Sequence, residues 1–204
     1  MLTSAREGDS FHAYLVWDEA TREAALFDAG WDIAVVRQFV ADHQLSLKHL
    51  FLTQSPLEER IGAVTALRNS VPGLRLHTNS ASAPPEHRNR PNECVSLGSL
   101  RITHRNLGSL ASADVIYLVG NWPDDAPHAA FIGDALPSGG AADASVSAEE
   151  MARRVRETVL TLPDDTLLCP RHGLVSTVAG EKERISRAGG SPDPPPGQAS
   201  RPVQ

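Results

Sequence analysis

Residues 162–184, "LPDDTLLCPRHGLVSTVAGEKER", bring a short apolar run, a proline stop and a charged, histidine-bearing loop into immediate succession. Leu167–Cys169 reads as a short buried strand, and Pro170, which has no backbone donor, ends it. Arg171, His172 and Gly173 then form the loop at the strand's carboxyl end. Loops held by a rigid scaffold are where functional groups usually converge. Taken alone, a histidine before a glycine is more often a capping or surface residue than a ligand.

Two earlier loops repeat the arrangement. Ala129–Ile132 leads as a strand into Gly133-Asp134, and Leu47–Thr53, mostly apolar, runs out into Gln54–Arg60. Between them the signals alternate. Tyr14–Trp17 and Ala24–Phe27 flank the polar turn Asp18–Glu23, and Gly30 is expected to supply the positive φ of a sharp exit. Apolar residues at helical spacing predict a helix from Ile33 to about His43 and a second over Ile61–Ser70, stopped by Pro72-Gly73. Leu74–Thr78, Val95–His104 and Val115–Val119 are expected strands, with residues 80–93 an exposed excursion. Ser147 and Glu150 form a capping box opening a helix to about Leu160. Strands and helices mixed in this way favour a layered α/β domain over residues 1–187. Residues 188–204, "AGGSPDPPPGQASRPVQ", are a Pro/Gly/Ser tail too polar to bury a core, so disorder is expected there.

Composition narrows the function. A formal net charge of −6 argues against a nucleic-acid partner, which needs a basic face. No apolar run is long enough to span a bilayer and no signal segment opens the chain, so no membrane partner and a cytoplasmic location are expected. Two cysteines, Cys94 and Cys169, make no disulfide framework. Cys169 ends an apolar strand and reads as a small buried hydrophobe.

The order of these segments resembles the metallo-β-lactamase superfamily, in particular its glyoxalase II-like and persulfide dioxygenase-like branches. "YLVWDEATREAALFDAG" is similar to that family's opening hairpin, and "HLFLTQSPLEERIG" stands where it has Thr-His-x-His-x-Asp-His-x-x-Gly. "FIGDAL" resembles the later Thr-Gly-Asp-x-Leu segment, and residues 162–184 resemble the Leu-Pro-Asp-x-Thr…Pro-x-His…Ser-Thr-Val ending. The resemblance implies an αββα sandwich in a single domain. It also implies loops that hold two metal ions in the family's hydrolases, or one iron in the dioxygenases. Bridged metals make hydroxide at neutral pH and polarise a carbonyl.

Carried over residue by residue, the metal-binding motif is degenerate. Gln54 and Pro56 stand at the His-x-His positions, and Glu58 and Glu59 at the Asp-His positions. No histidine follows Asn106 where the middle ligand is expected, so Asp134 and His172 alone match. Proline has no donor atom and glutamine is a weak neutral ligand, so the first metal site is expected to be lost. Glu58, Glu59, Asp134 and His172 leave a single-metal site open, with manganese, iron or zinc as the alternatives. The competing reading is that Glu58 and Glu59 begin the helix near Ile61, at the positive end of its dipole. Arg171 replaces a small residue and has a forked cation able to pair with Asp134 or Glu58 in place of a metal.

The first expectation is therefore a protein without cofactor that binds a small molecule or a protein partner, with Gln54, Glu58, Glu59 and Arg171 as ligand-binding residues. The alternative is a hydrolase of an ester or thioester. It would use either a rebuilt single-metal site or metal-free acid/base chemistry, with His172 as base and Asp134 or Glu59 orienting it.

Overall fold

In a computed structural model of the chain, residues 2–6, 9–30, 32–54, 58–107, 114–121, 127–136 and 148–187 are described. The expected tail, Ser147 of the capping box and Pro56 lie outside them, as do the side chains of Glu58 and Glu59. The strands are β1 (Leu2–Arg6), β2 (Asp9–Trp17), β3 (Glu23–Phe27), β4 (Ser46–Phe51), β5 (Arg75–His77) and β6 (Val95–Leu97). They continue with β7 (Leu100–Asn106), β8 (Val115–Asn121), β9 (Pro127–Gly133), β10 (Leu167–Pro170) and β11 (Ser176–Thr177). The helices are α1 (Ile33–Asp42), α2 (Glu58–Ser70), α3 (Ala148–Thr158) and α4 (Val178–Arg187).

Two sheets result, ordered β1-β2-β3-β4-β5 and β11-β10-β9-β8-β7-β6. β3, β4 and β5 run parallel, with α1 and α2 as crossovers, and β9 and β10 run parallel on the other sheet. Side-chain alternation along each strand produces the layers. On β3, Leu26 joins a cluster with Val36 of α1 and Val64 and Leu67 of α2, while Ala25 and Phe27 face the other sheet. On β8, Ile116 and Leu118 pack with Val155 of α3 and Val178 of α4, while Val115, Tyr117 and Val119 face Phe27 and Phe51. Three apolar clusters thus separate four layers, helix–sheet–sheet–helix. This is the expected αββα sandwich. Among the described residues no helix is long and apolar enough to cross a membrane.

Some boundaries differ from expectation. The run Val95–His104 is two strands, β6 and β7, because Gly98 takes φ +57° and reverses the chain at Gly98-Ser99. At the exit of β3 the left-handed residue is Asp28, with φ +55°, where Gly30 had been expected to take that role. The excursion 80–93 contains a 3-10 turn, Pro85–His87, and is tied back by a bridge between Thr78 and Arg88.

Candidate active-site cleft

Functional groups gather at the carboxyl ends of two parallel strand pairs, β3–β4 on one sheet and β9–β10 on the other, and strand carboxyl ends are where open α/β sheets place their ligands. β3 delivers Asp28, β4 delivers Thr53 and Gln54, β9 delivers Asp134, and β10 delivers Arg171 and His172. Backbone bonds hold these ends together. Asp28 N donates to Phe51 O at 2.8 Å, Val115 N to Thr53 O at 2.9 Å, and Arg171 N to Gly133 O at 2.9 Å. His12 N donates to Arg171 O at 2.8 Å, and the His12 ring to Gly173 O at 2.8 Å, so β2 fixes the loop from behind. Gly133 is required here. Its φ is +56°, and a Cβ would come within 2.6 Å of Thr53 Oγ1.

Asp134 lies at the centre. Its Oδ1 accepts from His172 Nδ1 at 2.8 Å, and its Oδ2 pairs with Arg171 Nη2. The same Nη2 donates to Gln54 Oε1 at 2.5 Å. Burial pushes the Asp134 carboxyl up, but the His172 bond and the Arg171 charge outweigh it and hold the group below the usual carboxylate range. Arg171 is 7% exposed, lies 5.4 Å from the Phe11 ring centroid, and has a buried Nε without a hydrogen-bond partner among the described residues. Phe11 also meets the His172 ring edge-on at 5.7 Å.

Asp28 forms a second tier that sequence reasoning did not assign to the site. Its carboxylate accepts from Thr53 N at 3.0 Å and from Thr53 Oγ1 at 2.8 Å. Burial pushes its carboxyl up, opposed by the Arg171 charge and the Thr53 bonds. Its position at a strand exit in "FDAG" was the available signal. The structure therefore brings Gln54, Asp134, Arg171 and His172 together. Glu58 and Glu59 sit in the first turn of α2, which begins at Glu58 rather than near Ile61; the positions of their side chains are outside the described residues. His104 is half-buried on β7, 6.4 Å from the Tyr117 ring. Cys169 is buried beneath the loop, and burial pushes its thiol up to about 11.

Among the described residues the donor set does not fit the two-metal centre that the resemblance implies. Both oxygens of Asp134 are engaged, the Gln54 oxygen is taken, and a fixed guanidinium repels an incoming divalent ion. No group of three or more His, Cys, Asp or Glu among these residues is placed to hold a metal. Beside the Asp134 cluster, a separate hollow of about 10 Å³ between Thr53, Gln54, Leu107, Asp114 and Asp134 has room for about one water.

No family model matches the chain, and no curated protein matches it by sequence. Solved structures do. ETHE1 from Myxococcus xanthus is 25% identical with a TM-score of 0.69, covering 93% of this chain and 84% of its own. The BLEG-1 B3 metallo-β-lactamase is 22% identical with a TM-score of 0.66, covering 84% and 90%. A metallo-β-lactamase from Pontibacter korlensis is 14% identical with a TM-score of 0.66, covering 91% and 91%. With its two sheets flanked by helices, the chain has the metallo-β-lactamase fold, and the likeness to ETHE1 supports the metallo-β-lactamase superfamily.

Proposed function

We propose that this protein works without the family's metal centre and uses the cleft to bind a small molecule or a protein partner. One observation carries this reading: the Arg171 guanidinium pairs with Asp134 and Gln54, at the oxygens that would otherwise face a metal ion. Arginine cannot give up its charge near neutral pH, so the positive charge at this point is permanent. The His172 and Asp134 side chains, 23% and 33% exposed, present an imidazole and a carboxylate at the mouth, above an Arg171 that is 7% exposed, and this suits recognition rather than Lewis-acid catalysis.

The Asp134–His172 bond at 2.8 Å supports a second reading. A carboxylate bonded to Nδ1 fixes the imidazole's tautomer and orientation, as a general base requires. In that case water attack on an ester or thioester would proceed without metal, with the proton passing to His172.

Metal analysis of protein purified without chelator tests the proposal, paired with thermal melts in added manganese, iron and zinc. Less than a tenth of an equivalent of metal (~0.1) and unchanged melting are expected, since a bound ion would stabilise by mass action. A stoichiometric metal lost in His172→Ala would overturn the proposal. Metal-free hydrolysis of a thioester that needs His172 would favour the second reading.

A further inference from the structure

Away from the cleft, two imidazoles meet inside the protein. His49 Nδ1 on β4 lies 3.0 Å from His77 Nε2 on β5, and the residues are 7% and 4% exposed. A hydrogen bond between two ring nitrogens needs one N–H and one lone pair. A first added proton puts a charge into a buried seat, and a second removes the lone pair and breaks the bond. Phe51 stacks on His77 at 4.4 Å, and the His77 carbonyl accepts from Leu52 N at 2.9 Å and from Tyr117 OH at 3.1 Å. β5 has three residues and lies at the edge of its sheet, so its one strand ladder is with β4. Such short edges are the first units to open.

The charged groups around the pair come from every neighbouring element. Lys48 on β4, Arg75 on β5, His87 in the 3-10 turn and His104 on β7 oppose a proton there, while Glu23 on β3 and Glu93 before β6 favour one. Burial outweighs all of them. It pushes His77 down to about 3, and it lowers His49 as well. An opened seam exposes imidazoles that titrate near 6.5. The open form therefore binds more protons below about pH 6.5, and the closed form loses ground as pH falls from there.

We propose that the His49–His77 pair is an acid-sensitive latch. Its protonation opens the β4–β5 seam and, through β4, loosens Thr53 and Gln54 at the cleft. The path is short: β4 ends at Phe51, Thr53 bonds Asp28 at 2.8 Å, and Gln54 bonds Arg171 at 2.5 Å. The latch does not depend on whether a metal binds.

Native-state hydrogen exchange of the whole chain at pH 7.5 and 5.0, read as protection factors, tests it. Protection of the Leu52 and Thr53 amides is expected to fall by up to roughly a thousandfold at the lower pH, about thirtyfold for each imidazole near 6.5 that protonates only when open. The double variant His49→Gln/His77→Phe, which leaves no titratable ring in the seam, should hold that protection within about threefold. His77→Phe or His49→Gln alone, which serves if the double variant fails to fold, leaves one such imidazole, and its protection should fall only about thirtyfold. Undiminished wild-type protection at pH 5.0, or a fall in the double variant equal to that of the wild type, would overturn the proposal. A fall at β5 that spares Thr53 would overturn the coupling to the cleft.

Discussion

Asp134 answers two basic groups with one carboxylate, and the balance among them sets what the cleft is worth. Its side chain is 33% exposed, so solvent screens part of the interaction, whereas Arg171 is 7% exposed and depends on its counter-charge. Removing one partner of a buried pair costs more than the pair contributes, because the remaining charge stays desolvated. Asp134→Asn should therefore destabilise the protein by about 2–4 kcal/mol after screening is allowed for. That is a fall in melting temperature of roughly 5–15 °C for a domain of this size. Arg171→Lys keeps the charge but loses the fork, so its loss should be smaller. Equal melting of wild type and Asp134→Asn would show that the cluster contributes nothing. Asp134, Arg171, His172 and Gln54 could be placed at strand ends from the apolar runs before them, but only the resemblance in segment order implied that they meet. Asp28 was not legible as a site residue, since its partners Thr53 and Arg171 approach only when β3, β4 and β10 are assembled.

At the scale of elements, period-two and helical patterns were enough to read most strands and α1, α2 and α3. They failed where a local residue contradicts its element. Gly98 splits what reads as one strand, and Gly180 weakens the helical signal of α4 although Thr177 Oγ1 caps it, accepting from Gly180 N at 3.1 Å. The β6–β7 turn also shows how the sheets are tied at the end remote from the cleft loops. Asp18, in the β2–β3 turn, accepts from Thr21 N at 2.8 Å, Ser99 N at 2.9 Å and Ser99 Oγ at 2.6 Å. A Cβ on Gly98 would come within 2.3 Å of Asp18 Cγ, so the contact requires glycine. The bonds from Ser99 and Thr21 hold the Asp18 carboxyl well below the usual carboxylate range. A lowered carboxyl gives stability that is present above its unfolded pKa, about 3.9, and is lost as pH falls below it. Asp18→Asn should melt lower than wild type at pH 6, and the gap should close as pH drops below about 4. Melts across that range check it, and a gap that persists undiminished at about pH 2.5 would place the contribution elsewhere than in the charge.

Across the whole molecule, the cleft exists because two sheets are held at one spacing. Asp28, Thr53 and Gln54 come from the first sheet, and Asp134, Arg171 and His172 from the second, so the Arg171–Gln54 bond crosses between them. The spacing is set by an aromatic joint in a chain with five phenylalanines. Phe27 stacks on Phe131 across the sheets at 3.7 Å and beside Phe51 on its own sheet at 4.9 Å, with Tyr117 at 6.0 Å. Phe27 is fully buried and is followed at once by Asp28, so a cavity at Phe27 reaches the second tier of the cleft. Phe27→Ala should cost about 3–5 kcal/mol, from lost burial plus an unfilled cavity. Val35→Ala on α1, where the side chain is 50% exposed, should change stability by less than about 0.5 kcal/mol. Denaturant unfolding of the two variants measures this contrast. If Phe27→Ala costs no more than Val35→Ala, the sheets are held apart by something other than this joint.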